Sequence, residues 1–208
     1  MLPTREEAEK ILQECELINP GPWGNHCRVA AHCAEKIAKA CGDIDPEKAY
    51  IVCLLHDIGR RFGGRHLGHV SDGYTYMSSL GYDEVAQICL THSFSTKKID
   101  EYIGKVDTTE EETKLVKEKL AEVTYDDFDR LGQLCDALAG PDRVLDMEAR
   151  MEDVKSRYGY YPEEKWAASK ELRKYFEEKM GRDIYEVVEK DTFRIFLDEK
   201  QQNMGQTL

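Results

Sequence analysis

A chain of 208 residues with 41% hydrophobic and 34% charged residues has enough apolar material for a substantial core, which excludes a disordered chain. Its net charge of −12 repels polyanions, so a broad nucleic-acid or anionic-membrane footprint is excluded and any anionic substrate must meet a local basic patch. No run approaches the roughly 18 to 20 apolar residues of a membrane span, and the opening MLPTREEAEK lacks a signal peptide's basic and apolar regions, making the cytoplasm the expected compartment.

Helical periodicity and caps recur while strand-like alternation is almost absent, which predicts an all-α protein. Thr4 with Glu7 makes a capping-box pattern ahead of a helix over Arg5 to Ile18, and Pro20-Gly21-Pro22 then breaks the chain. A second helix is expected from Asn25 to Ala40, stopping near Gly42. Asp45 and Pro46 open a third, which should carry Ala49, Val52, Cys53 and Leu55 to His56 and Asp57 near its end. After an arginine- and glycine-rich stretch, His66 to Leu80 and Asp83 to Ser93 read as helices separated by Gly81. A Glu-rich helix follows over Thr108 to Glu122, then a more apolar one over Tyr125 to Ala139.

Pro141 is expected to open a charged helix reaching Arg157; Tyr158 to Pro162 make a turn, two further helical segments finish the chain, and the tail from Gln201 should fray. The charged helices are most simply solvated faces laced with i, i+4 pairs. Seven cysteines (15, 27, 33, 41, 53, 89 and 135), odd in number and without a CxxC pair, read as buried reduced side chains rather than disulfides or a thiolate zinc site.

Chemistry concentrates in the histidines. His26 shares a helical face with Val29, Ala30, Cys33 and Ile37, and His92 with Val85, Ile88 and Cys89, so both rings should point inward; His32 is rotated off that face. Asp136 lies close to the stripe of Phe128, Leu131, Leu134, Cys135 and Leu138. Any one buried histidine is most simply a hydrogen-bonded core residue. Several imidazoles together with aspartates are different, because an ionised carboxylate leaves water at a cost of several kcal/mol unless a charge compensates it. A divalent metal would account for all of them at once.

His26, the adjacent pair His56-Asp57 and the distant Asp136 resemble the H…HD…D signature of the HD-domain metal-dependent phosphohydrolases, an all-α superfamily. "HCRVAAHCAEKIA", "CLLHDIGR" and "LCDALAG" are similar to its three motifs in order, across about residues 20 to 145. The resemblance implies an HD-domain helical bundle over residues 1–145, with 146–208 as a C-terminal helical extension on the same domain. The segment "GHVSDGYTYMSSLGYDEVAQICLTHS" also resembles the two-histidine insertion of the dinuclear subgroup. That implies one metal held by His26, His56, Asp57 and Asp136 and a second by Asp57, His69 and His92, with Asp57 bridging. His66 competes with His69; the four-residue spacing to Gly73 favours His69.

Four imidazoles and two carboxylates favour transition metals over calcium or magnesium, with iron or manganese ahead of zinc or cobalt. The implied activity is phosphoester or phosphoanhydride hydrolysis of a small phosphorylated substrate, a nucleotide or dinucleotide, by a metal-activated hydroxide. Asp57, Arg60 and Arg61 are the expected catalytic groups. Arg60, Arg61, Lys97, Lys98 and Arg143 are candidates for phosphate, because guanidinium and ammonium groups would offset the negative field; the competing reading makes them solvated surface charge. "HDIG" also occurs in cyclic dinucleotide phosphodiesterases of the superfamily, but their GYP motif is missing, so that substrate is not carried over. Two other readings stand beside this one: a di-iron oxygenase on the same ligands, and a nucleotide-sensing or interaction module with a structural metal. No nucleic-acid polymer or membrane partner is expected, and a homo-oligomer is left open.

Overall fold

The computed structural model describes residues 1–195, so the tail from Gln201 lies outside the described residues. At its start the Thr4 hydroxyl accepts the Glu7 amide at 3.2 Å while the Glu7 carboxylate accepts the Thr4 amide at 2.8 Å, fixing α1 at Arg5–Ile18. Ala8, Leu12 and Cys15, spaced four and three apart, are buried and lay α1 on the core. The second helix, α2 (Trp23–Cys41), is the central element and buries residues around most of its circumference, from Cys27 through Ile37. Its first turn is held from outside: the Trp23 indole N–H donates to the Asn19 carbonyl at 2.8 Å.

Asp45 caps α3 (Pro46–Leu54) by accepting the Glu47 and Lys48 amides at 2.9 and 3.2 Å. The helix ends earlier than the periodicity suggests. His56 and Asp57 sit beyond its last residue, in the turn that leads into a 3-10 segment over Ile58–Phe62, itself ended by Gly63 at φ 124°. Adjacent side chains on a regular helix diverge by about 100°; leaving the α-helical path lets this pair serve one centre.

Next come α4 (Gly68–Ser79), α5 (Asp83–Thr91), a short 3-10 turn (Ile99–Glu101), α6 (Glu110–Glu122) and α7 (Asp127–Leu138). The expected helix from Pro141 begins later, as α8 (Met147–Tyr158). Residues 139–145 instead form a tight reversal, with an Ala139–Val144 bridge, the Gly140 amide on the Arg143 carbonyl and the Leu145 amide on the Leu138 carbonyl, both at 2.8 Å. Asp146 then caps α8 through the Ala149 amide. The chain continues through α9 (Glu163–Met180) and α10 (Ile184–Val187). The protein is all-α, with only isolated bridges among the described residues.

The principal core joins α1, α2, α3, α5 and α7 to Met147 and Met151 of α8, Phe176 of α9 and Ile184 of α10. A smaller one gathers Leu67, Val70, Leu90, Phe94, Val116 and Leu120 around α4, α5 and α6. All seven cysteines are free, six of them buried. No described helix is long and apolar enough to cross a membrane.

Candidate metal centre

Five elements deliver side chains to one buried point: α2 brings His26, the turn after α3 brings His56 and Asp57, α4 brings His69, α7 brings Asp136, and His92 caps the end of α5. Two groups result. His26, His56 and Asp57 offer ligand atoms within 4.8 Å of one another, as do Asp57, His69 and His92, so Asp57 belongs to both. Asp136 Oδ1 lies 3.1 Å from His26 Nε2 and 3.9 Å from His56 Nε2, at the edge of the first group. The rings of His26 and His56, and of His56 and His92, stand edge to face with centroids 5.2 and 5.0 Å apart.

The four rings share one orientation device. Each places Nδ1 on a main-chain carbonyl: His26 on Ala139 at 3.1 Å, His56 on Cys53 at 2.7 Å, His92 on Ile88 at 3.1 Å, and His69 on His66. Nδ1 must then carry the proton, leaving every Nε2 an unprotonated lone pair aimed inward. In consequence, acceptors face acceptors. His69 Nε2 lies 3.2 Å from His92 Nε2 and 3.0 Å from Asp57 Oδ1, while His56 Nε2 and Asp57 Oδ1 are buried without any hydrogen-bond partner.

Such a gathering is costly unless a cation fills it. Asp129 makes the contrast: it is also fully buried, but Thr91, Gln87 and the Asp126 amide donate to it at 2.7, 2.9 and 3.0 Å, tying α5 to α7. Its hydrogen bonds suffice; those of Asp57 do not. The donor set, with imidazole nitrogens and carboxylates fixed by main-chain hydrogen bonds, therefore fits divalent transition-metal ions.

The electrostatics agree. Burial drives the His56 pKa down to about 3 and lowers that of His69, so both rings are neutral at physiological pH. Burial alone would raise the Asp57 carboxyl, but the Arg60 guanidinium beside it holds it well below the usual carboxylate range. Asp136 is likewise held down against burial, with the Arg150 guanidinium beside it.

Gly59 explains how the pair stays in place. A Cβ there would lie 2.0 Å from the His69 carbonyl oxygen and 2.5 Å from the Gly73 amide nitrogen, so only glycine lets the turn after Asp57 press against α4. Behind α4, Arg65 pairs with Asp72 and Glu112, and Asp107 accepts the amides of His66 and Gly68 at 2.6 and 2.8 Å.

Above the centre opens a cavity of about 390 Å³, lined by Asp57, His69, His92, Asp136 and Arg60 among others. The other expected phosphate ligands lie elsewhere. Arg61 follows Arg60 on a 3-10 turn, where successive side chains diverge by about 120°; its guanidinium covers the Tyr76 ring at 4.2 Å. Lys97 donates to the Val123 carbonyl, Lys98 pairs with Glu164, and Arg143 is clamped by its neighbour Asp142 at 2.7 and 2.9 Å. None of the four lines the cavity. His66 does line it, edge-on to Tyr158, but only His69 joins a ligand group. His32 stacks on Phe193, away from the centre.

Sequence reasoning missed the opposite wall. Arg150, Val154 and Arg157 of α8, and Lys165, Ser169 and Leu172 of α9, line the cavity together with Tyr102 and Tyr161. Their spacings of four and three mark one face of each helix, a signal present in the sequence but without anything to say what that face met.

The family model described as HD domain matches residues 23–140, well over half of the chain. The chain belongs to the HD-domain family. HD domains bind divalent metals and are mostly metal-dependent phosphohydrolases, in keeping with the donor set. The matched span contains every residue of the two ligand groups and Asp136, and ends before α8 and α9. Comparison with curated proteins and with solved structures gives no match.

Proposed function

We propose that this HD domain is a two-cation phosphohydrolase acting on a small phosphorylated molecule of the nucleotide or dinucleotide class, with iron or manganese as the cations. One observation carries the reading: inward-facing Nε2 atoms and the Asp57 and Asp136 carboxylates converge on the floor of a cavity of small-molecule size. Ions bound there would neutralise phosphoryl oxygens and acidify a water nucleophile.

The protein's own part follows from the geometry. His26, His56 and Asp136 would hold one ion and His69 and His92 the other, with Asp57 shared between them. Asp57 Oδ1, lacking a hydrogen-bond partner, is the oxygen left to face the ions once Oδ2 is paired with Arg60. Arg60 lines the same cavity beside Asp57 and would balance charge on the transferred group. Met151, Val154 and Leu172 add apolar surface to the opposite wall.

The test joins elemental analysis of anaerobically purified protein to phosphate release from a panel of nucleotides and dinucleotides, each with the metal found. Bound transition metal and phosphate release are expected, and both should vanish in a His56→Ala, Asp57→Ala double variant. Release that survives the double substitution overturns the reading. Oxygen consumption without phosphate release would assign the centre to di-iron oxygenation, and nucleotide binding without turnover under every metal would make the protein a sensing module.

A further inference from the structure

The cavity's five cations are not equally engaged. Arg60 is paired with Asp57, Arg65 with Asp72 and Glu112, and Arg157 with Asp153 at 2.9 Å. The Arg150 guanidinium makes a single side-chain contact among the described residues, at 3.5 Å to Asp136. Lys165 has no carboxylate within ion-pair distance among them; its ammonium donates once, to the Ser93 carbonyl at 2.6 Å, leaving two of its three N–H groups unused. Ser93 directly follows His92, and Lys165 and His92 line the same cavity. In a protein of net charge −12, two under-used cations facing one cavity are an anomaly that a ligand would resolve.

We propose that Lys165 and Arg150 form a second anion subsite, so that the preferred substrate is a small bis-phosphorylated molecule with one phosphoryl group over the metal centre and the other against α8 and α9. The proposal rests on the phosphohydrolase reading and deepens it by naming what selects the substrate. Both residues lie beyond the matched span of 23–140, so the selectivity belongs to this chain's C-terminal helices rather than to the shared domain. Burial pushes the Lys165 ammonium below its ordinary pKa, and an anion at its free donors would offset that cost. Tyr102 and Tyr158 extend the same lining and give an apolar face to whatever links the two phosphates.

Binding separates the subsite from catalysis. Calorimetry of the metal-loaded protein would use methylphosphonate, with one anionic group, against methylene- and propylene-bisphosphonate, with two and no hydrolysable bond. In Lys165→Met the dissociation constant for at least one bisphosphonate should rise about ten- to a hundredfold, while that for methylphosphonate changes less than about twofold. Lys165→Arg should restore most of the difference, which a lysine acting only as a tie to Ser93 would not do. Losses equal for all three probes, or no loss for any, overturn the subsite. If the bisphosphonate-specific loss appears but no ester releases phosphate under any metal, the subsite stands and the hydrolase reading falls. Phosphate release with equal affinities in wild type and variant does the reverse, leaving the hydrolase and removing the subsite.

Discussion

The two sides of the cavity are built differently. The floor, from α2, the turn after α3, α4, α5 and α7, consists of four imidazoles held by main-chain carbonyls together with Asp57 and Asp136, and His56, Asp57, His69 and His92 are at most 4% exposed. The wall, from α8 and α9, is charged and half-solvated, anchored to the principal core through a few residues such as Met147, Met151 and Phe176. A floor of this kind fixes reactive atoms to within fractions of an ångström, whereas a wall of long side chains can be rewritten without moving them. Chemistry and selectivity thus occupy separate parts of one fold.

The largest effect should come from cutting the wall's anchor. Phe176 is fully buried, and Phe176→Ala should cost about 3 to 5 kcal/mol of unfolding free energy, read by urea titration. Bisphosphonate affinity should fall while metal content per folded protein is retained; joint loss of metal would break the separation of floor from wall. The reciprocal change is Gly59→Ala, which forces the turn away from α4. It should destabilise by about 1 to 3 kcal/mol and, unlike the anchor variant, lower metal occupancy in elemental analysis.

Acid sharpens the contrast further. In metal-depleted protein His56 has its pKa pushed to about 3 from 6.5, so the unfolded chain takes up a proton near pH 6.5 that the folded protein refuses until about pH 3. Its contribution is fully present above pH 6.5 and is lost as pH falls through that window, by up to about 1.4 kcal/mol per pH unit. Urea titrations at pH 7 and pH 5 should show that slope reduced in His56→Gln. The smallest effects belong to the outer cations: Lys98→Ala and Arg143→Ala should leave both melting temperature and bisphosphonate affinity unchanged, since neither side chain lines the cavity.

What is legible in the sequence follows from locality. The box of Thr4 and Glu7 sets α1 to the residue, and Asp45 with Pro46 sets the start of α3, because caps act within three residues. Helical periodicity points His26 and His92 inward, and the structure brings both to the centre. The end of α3 is not legible, since tertiary contact through Gly59 draws the chain out of its helical path before His56. Nor can sequence alone separate Arg60 from Arg61, neighbours sent to opposite sides by one tight turn. Lys165 is hidden for a further reason: it follows His92 by more than seventy positions and meets Ser93 only once α9 is docked.

The carbonyls behind the four rings have a thermodynamic consequence. Because the main chain has already chosen each tautomer and turned each lone pair inward, uptake of ions needs little rearrangement of the backbone and little additional loss of side-chain freedom. Occupancy then responds chiefly to which ions the surroundings supply and to how readily those ions shed their water.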